Sequence, residues 1–460
     1  MVDKVIYHHG GADKEAVAMR QKVLNAVNEL PKAFGKTYYV SDSGDDLNDG
    51  LTPETAIKTY NHIADLPLKA GDEVLLKRGD TFRITERLWL IDGVNYGAYG
   101  DGEKPMILGS LKDYANPKLW KQSADNLNIW QTEICGEDRA SVTTFNNDTY
   151  VGVWKYTLDD LEKDGDFSHD QQTGIYSLYF SEGNPGEYFN NIEIATTETA
   201  MRTANTAGHR NIHVDNICYK YFTFGAFLTA EANNFKITNC ICGWQGGKIY
   251  NANHKDGVKQ FGNAIQFWWQ CRDVWVRNCW IYQIFDAAIT FQGQGPGPTW
   301  FMNINFEYNL IEYCSMNIEY WASTNENVDP YVDPHIDGIS YKGNIIRFGG
   351  YGWAGIQRWD KHCQALLLGW NGVQNDLNDF VITENILDCA DCYFVWMKGP
   401  DVHKGMSAYG NTYYQKQPSG TNKDNEIVYH GGKKANNQEE FEDAIKFFEQ
   451  EPKEVKWLDI

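Results

Sequence analysis

Asp286 interrupts IFDAAITFQG, residues 284 to 293, a run that otherwise reads as a buried strand, and Glu319 stands in a similar run beside Tyr320 and Trp321. Two acids placed together can divide the work of breaking a glycosidic bond. One stays protonated and serves as general acid, while the other stays ionised and serves as nucleophile or base. Both acids have aromatic neighbours, Phe285 and Phe291 in the first case and Tyr320 and Trp321 in the second. Rings of this kind suit the apolar C–H faces and polar edges of sugars. Such a pair works only if the fold brings the two to one face.

The elements that would place them repeat. Seven short β-like runs each end in Asn, at Asn216, Asn239, Asn278, Asn309, Asn344, Asn385 and Asn411, in steps of 23, 39, 31, 35, 41 and 26 residues. This is the period of a solenoid whose longer units carry insertions. An Asn stacked on the next turn's Asn can form an amide ladder at a corner, as in a right-handed parallel β-helix with rungs about 4.8 Å apart. An apolar residue usually follows the Asn, so Cys240 and Cys279 read as small ladder residues. Cys389-x-x-Cys392 has thioredoxin spacing but lies in a coil, and is read as packing. Aligned on the Asn, Asp286 is eight residues past Asn278 and Glu319 ten past Asn309. The two positions point to the same side of a strand. On adjacent coils their carboxyl groups would then stand roughly 5 to 9 Å apart, a range that covers both retaining and inverting hydrolysis.

The long steps hold GGKIYNANHKDGVKQFGNAIQFWW, GQGPGPTWF, STNENVDPYVDPHIDG and RWDKHCQALLLGWNG. Long loops on a regular scaffold are where sites are built, and these are expected to wall a cleft over the acids. Gln266 and Trp268 are candidates for binding hydroxyls and stacking on a ring, with Trp321 beside Glu319. His254, Asp256, His335, Asp337, Arg358, Trp359, Asp360 and His362 are further candidates for binding substrate. Asp256 and Asp337 are reserve carboxylates, and Arg358 suits a carboxylate-bearing sugar or the loop acids themselves. A metal site of His254, Asp256 and His335 is conceivable but its spacing is not diagnostic, so none is claimed, and no cofactor is expected unless the protein is a lyase that uses calcium.

The chain of 460 residues has 62 Asp plus Glu against 41 Lys plus Arg, a net charge of −21. Nucleic-acid binding needs a basic face, so the charge argues against it and also disfavours a polyanionic glycan bound without metal. No apolar run approaches the roughly 18 residues that span a bilayer. With ten Cys at irregular spacing and no visible secretory signal, the expected location is cytoplasmic, or secreted if an export signal has been removed. The expected organisation is a helical cap over 1–36, a first coil over 37–110, a β-rich insertion over 111–200, the main helix with long loops over 201–418, and a C-terminal strand and helix cap over 419–460. The fold class is all-β.

YYVSDSGDDLNDGLTPETAIKT, AGDEVLLKRGDTFR and YGAYGDGEKPMILGS resemble the first coil of pectate-lyase-like right-handed β-helix carbohydrate-active enzymes, in particular glycoside hydrolase families 141 and 120 and, more distantly, polysaccharide lyase family 9. GDFSHDQQTGIYSLYFSEGNP is similar to a stretch between first coil and main helix in the hydrolases. The resemblance implies Asp286 as nucleophile and Glu319 as acid/base, or the two roles exchanged, and the leading reading is a glycoside hydrolase acting on a plant-type or other mostly neutral glycan. The lyase branch implies a calcium site of clustered Asp with a basic residue. The nearest stretch here, NHKDGVK, has no such cluster. A uronate lyase or epimerase and a non-catalytic glycan-binding β-helix are the alternatives.

Overall fold

The computed structural model describes residues 1–203, 209–251, 258–293, 299–322, 335–358, 365–371, 376–391, 393–397, 405–418, 426–428 and 433–460. Among these, three long sheets of ten strands each run side by side. The first begins at Thr37–Val40, the second at Thr81–Arg83 and the third at Leu88–Trp89. One coil shows the path: Cys271–Arg277 lies in the first sheet, Trp280–Ile284 in the second, Ala287–Gly293 in the third, and the chain re-enters the first at Trp300–Glu307. Each strand pairs in parallel with its equivalent one coil later, as in Cys271↔Phe301, Trp280↔Leu310 and Ala287↔Met316. The protein is a single-stranded right-handed parallel β-helix.

Alternate side chains of all three sheets fill the bore. Phe267, Phe291, Phe306, Tyr341 and Phe380 are all buried in one continuous core, and Phe306 and Tyr341 stack with ring centres 5.5 Å apart. The 3₁₀ segment Asn61–Asp65 brings Ile63 onto the N-terminal end of this core, and the helix Gln438–Phe448 closes the other end with Phe441, Ala444 and Ile445. The N-terminal helix, Asp13–Leu24, is not an end cap as the sequence suggested. It lies on the outer face of the second sheet, where Ala12 and Ala16 pack on Leu310 and Ile345. Arg20 pairs with Glu312 at 2.6 Å, and Arg347 with Asp13. Its small apolar face matches outward-pointing side chains of the coils, which are numerous, whereas the end is already covered.

The corner between first and second sheets corrects the Asn alignment. Asn216, Asn239 and Asn278 have φ of 62°, 54° and 52°, and in later coils that left-handed position is held by Tyr308, Gly343, Glu384 and Gly410. The amide ladder occupies the next residue: Asn309 donates to Asn344 at 3.0 Å, Asn344 to Asn385 at 2.9 Å and Asn385 to Asn411 at 2.9 Å. Asn therefore serves two successive corner positions for two reasons, tolerance of left-handed backbone in early coils and stacking of amides in later ones. Cys279 sits opposite Asn309, its N–H donating to the Asn309 side chain at 3.0 Å, so Cys240 and Cys279 share the slot of Ile217 and of the ladder Asn. Both cysteines are free and buried, and burial pushes the Cys279 thiol up to about 12.

Between residue 111 and Ile194 the chain forms small, mostly antiparallel sheets around a core of their own that includes Trp120, Phe167 and Tyr176, and Thr197–Arg202 already belongs to the third long sheet. The insertion meets the β-helix through Val142, Val151 and Ala195 against Phe285 and Trp353. Among the described residues no helix is long and apolar enough to cross a membrane.

Candidate active site

Asp286 lies in the two-residue link between the second-sheet strand Trp280–Ile284 and the third-sheet strand Ala287–Gly293. Phe285 packs beneath Trp353 where the insertion meets the β-helix, ring centres 5.1 Å apart, and Asp286 turns out to a cavity. Glu319 lies on the next rung, within Met316–Ala322, where its register partner is Thr290. The two acids are thus four residues apart along the strand direction, since Thr290 is the fourth residue past Asp286. The sequence alignment gave two. One residue of the difference comes from the corner, where Cys279 rather than Asn278 faces Asn309. The other arises because the pairing offset is 30 in Trp280↔Leu310 but 29 in Ala287↔Met316.

Arg358 supplies the charge between the acids. The short helix Trp353–Gln357 is inserted between second and third sheets one coil after Glu319. Gln283 fixes its first residue, accepting from the Trp353 backbone N–H at 3.0 Å and from the indole at 2.9 Å. Gln357, at its last turn, accepts from the Trp154 N–H at 3.3 Å and donates to the Ser141 carbonyl at 3.3 Å, so the insertion also holds it. Arg358 follows, its Nη1 donating to Asp286 Oδ1 at 2.7 Å and to the Phe285 carbonyl at 3.2 Å. All three charged residues are buried, Asp286 6%, Glu319 7% and Arg358 5% exposed. That is the regime in which neighbouring charges reset protonation. The Glu319 carboxyl is pushed up to about 8, first by burial and then by the charge of Asp286, against weaker opposite pulls from Thr290 and Arg358.

The cavity they share has a volume of about 760 Å³. On its floor, outward side chains form two columns along the rungs. Gln266, Thr290 and Glu319 make one, and Trp268, Gln292 and Trp321 the other. The Trp268 and Trp321 rings are 6.1 Å apart. Tyr250 and Phe261, rings 5.7 Å apart, stand over one wall from the antiparallel pair Lys248–Asn251 and Lys259–Phe261. Lys248 ties this hairpin to Glu198 at 2.5 Å and Asp138 at 3.1 Å. Burial works against the Glu198 charge, yet Lys248, Arg87 and Arg202 together hold its carboxyl below the usual range. Phe224, Asn263, Met316 and Trp396 complete the lining.

Of the residues singled out from sequence, Asp286, Glu319, Gln266, Trp268, Trp321 and Arg358 meet in this cavity. Arg358 lines the cavity with its Nη1 given to Asp286. His335 and Asp337 do not join them. They lie on the first-sheet strand His335–Lys342, half-exposed and 3.7 Å from each other, and neither lines this cavity. Their loop returns the chain to a different sheet, which carries them off the site face. His254, Asp256, Trp359, Asp360 and His362 lie outside the described residues. Phe224, Tyr250, Phe261, Asn263, Gln292, Met316 and Trp396 were missed. Correct pairing would have found Gln292, which sits between Trp268 and Trp321, but Tyr250 and Phe261 arrive on a hairpin that breaks the repeat and leaves no periodic signal. Among the described residues no group of three or more His, Cys, Asp or Glu is arranged to hold a metal.

No protein-family model matches the chain, and no curated protein matches it. Similar solved structures include a glycoside hydrolase, at 10% identity over 86% of this chain and 88% of the other with a TM-score of 0.46. A second is XylC in complex with xylose, at 14% identity over 85% and 86% with a TM-score of 0.41. A third is the pectate lyase Pel9A, at 10% identity over 87% and 82% with a TM-score of 0.39. The chain is thus similar in architecture to parallel β-helix proteins of carbohydrate chemistry, hydrolases and lyases alike.

Proposed function

We propose that this protein is a glycoside hydrolase, with Glu319 as general acid and Asp286 as the ionised partner. One observation carries the reading: a buried carboxyl raised to about 8 shares an aromatic-walled cavity with a second carboxylate that is ion-paired to Arg358. Two acids whose surroundings separate their protonation states are what bond cleavage at an anomeric centre requires. Glu319 gives its proton to the glycosidic oxygen as the bond from that oxygen to the anomeric carbon breaks. Asp286 supports the positive charge that develops there, as nucleophile or as base to a water. Arg358, the one cation lining the cavity among the described residues, is paired with Asp286, which favours a mostly neutral glycan over a uronate.

The test is a panel of neutral and uronate oligosaccharides, read both for new reducing ends and for the absorbance of unsaturated products, with wild type, Asp286→Asn and Glu319→Gln. New reducing ends without absorbance, lost by 10²-fold or more in both variants, are expected. An unsaturated product whose formation depends on calcium would replace hydrolysis with elimination, and equal cleavage by all three proteins would remove the pair from the chemistry. The anomeric configuration of the first-formed product assigns Asp286, retained for direct attack and inverted for a bound water.

A further inference from the structure

Asn263 is 3% exposed and Gln266 4% exposed, and they meet at one edge of the cavity. The backbone N–H of Ala287, on the next rung, donates to Asn263 Oδ1 at 2.9 Å. A backbone N–H can only donate, so the atom of Asn263 that receives it must be the amide oxygen. Its amide nitrogen then faces Gln266, and the Gln266 atom 2.7 Å from it must be Oε1. The orientation of both amides follows from one backbone group. Gln266 Nε2 is left with no hydrogen-bond partner among the described residues, at a side chain lining both the 760 Å³ cavity and an adjoining cavity of about 210 Å³ that also contacts Trp268 and Trp269.

We propose that Asn263 is a positioning residue that locks Gln266 as a hydrogen-bond donor, so that the ring stacked at Trp268 is selected for an acceptor oxygen facing Nε2. The inference rests on the glycoside hydrolase reading and deepens it, because it assigns a polar preference to the subsite two rungs from Glu319. A site built to donate rejects a sugar lacking the acceptor more strongly than an apolar wall would, since the donor is left unpaired. Asn263→Asp is the discriminating change. The carboxylate still accepts from Ala287 N–H, but its second oxygen draws in Gln266 Nε2 and turns Oε1 to the cavity, acceptor against acceptor.

The test is calorimetric binding of xylotetraose, cellotetraose and mannotetraose between pH 6 and 8, in a Glu319→Gln background that prevents turnover. For the tightest of the three, Gln266→Met is expected to weaken binding about tenfold, the scale of one hydrogen bond to a sugar oxygen. Asn263→Asp should weaken it at least as much, and the double variant no more than the worse single, because both act through one contact. In the otherwise wild-type enzyme, Asn263→Asp should raise KM and leave kcat within about threefold. Binding by Asn263→Asp equal to the parent, or losses that add in the double variant, would overturn the positioning role and leave the hydrolase reading standing. No binding of any tetrasaccharide to the parent would overturn the hydrolase reading on neutral glycans, and the inference with it.

Discussion

Arg358 and Asp286 are 72 residues apart in the chain and 2.7 Å apart in space, and their ion pair is almost fully buried. Removing the cation alone leaves an uncompensated buried charge, which typically costs about 3–5 kcal/mol. Arg358→Met should therefore lower the denaturation midpoint clearly and reduce kcat by 10²-fold or more. Because Arg358 pulls the Glu319 carboxyl down, its loss should also move the alkaline limb of kcat/KM upward. An alkaline limb that stays in place would show that Arg358 does not act on Glu319.

Glu319 must hold a proton to serve as acid, and its carboxyl is raised to about 8 by burial and by Asp286. Activity should fall as pH rises through about 8. The sign for stability runs the same way. Between the ordinary carboxylate range and about 8 the folded state holds a proton that the unfolded state has released, so stability falls as pH rises across that window. Glu319→Gln, which cannot ionise, should lose this dependence, matching wild type in melting temperature near pH 5 and exceeding it at pH 9. Scanning calorimetry at the two pH values reads the difference.

Lys248 holds the hairpin bearing Tyr250 and Phe261 to Glu198 and Asp138. Lys248→Met leaves both acids of the reaction untouched but loosens that wall. The expected result is KM raised severalfold with kcat nearly unchanged. A fall in kcat with KM unmoved would place Lys248 in the chemistry instead.

The Asn344 side chain takes part in four hydrogen bonds within the ladder, accepting from the Asn309 backbone and side chain and donating to Phe306 O and Asn385. Asn344→Ala leaves several of these groups buried and unmet, at about 1–3 kcal/mol for each. The urea midpoint should drop more than for Asn239→Gly, which loses a single side-chain hydrogen bond, to Asp215 at 2.8 Å, and keeps a φ of 54° that glycine adopts freely.

The solenoid was legible because each coil repeats its inward apolar residues and its corner Asn, a signal that survives insertions of any length. Register was harder. Asn residues at neighbouring corner positions look alike in sequence, so the alignment slipped by one at Asn278, and the change of pairing offset from 30 to 29 moved Glu319 a further residue from Asp286. Even so both acids reached one cavity, since an even displacement keeps a side chain on its face. Arg358 was visible as a charge in an insertion, but its partner depended on how Trp353 seats against Gln283 and Phe285. Asn263 carried no signal at all, because its role is to accept from a backbone group one rung away.

At the C-terminal end the ladder does not simply stop. Glu449, 1% exposed, accepts from Asn411 N at 3.1 Å, from Asn411 Nδ2 at 2.7 Å and from the Tyr413 hydroxyl at 2.6 Å. A carboxylate only accepts, so it takes up the donors that a further coil would have received and offers none onward. A stack of identical amides has no length of its own and would template whatever strand came next, including another molecule's. Glu449 gives this one a terminus, a side chain that closes the stack without extending it.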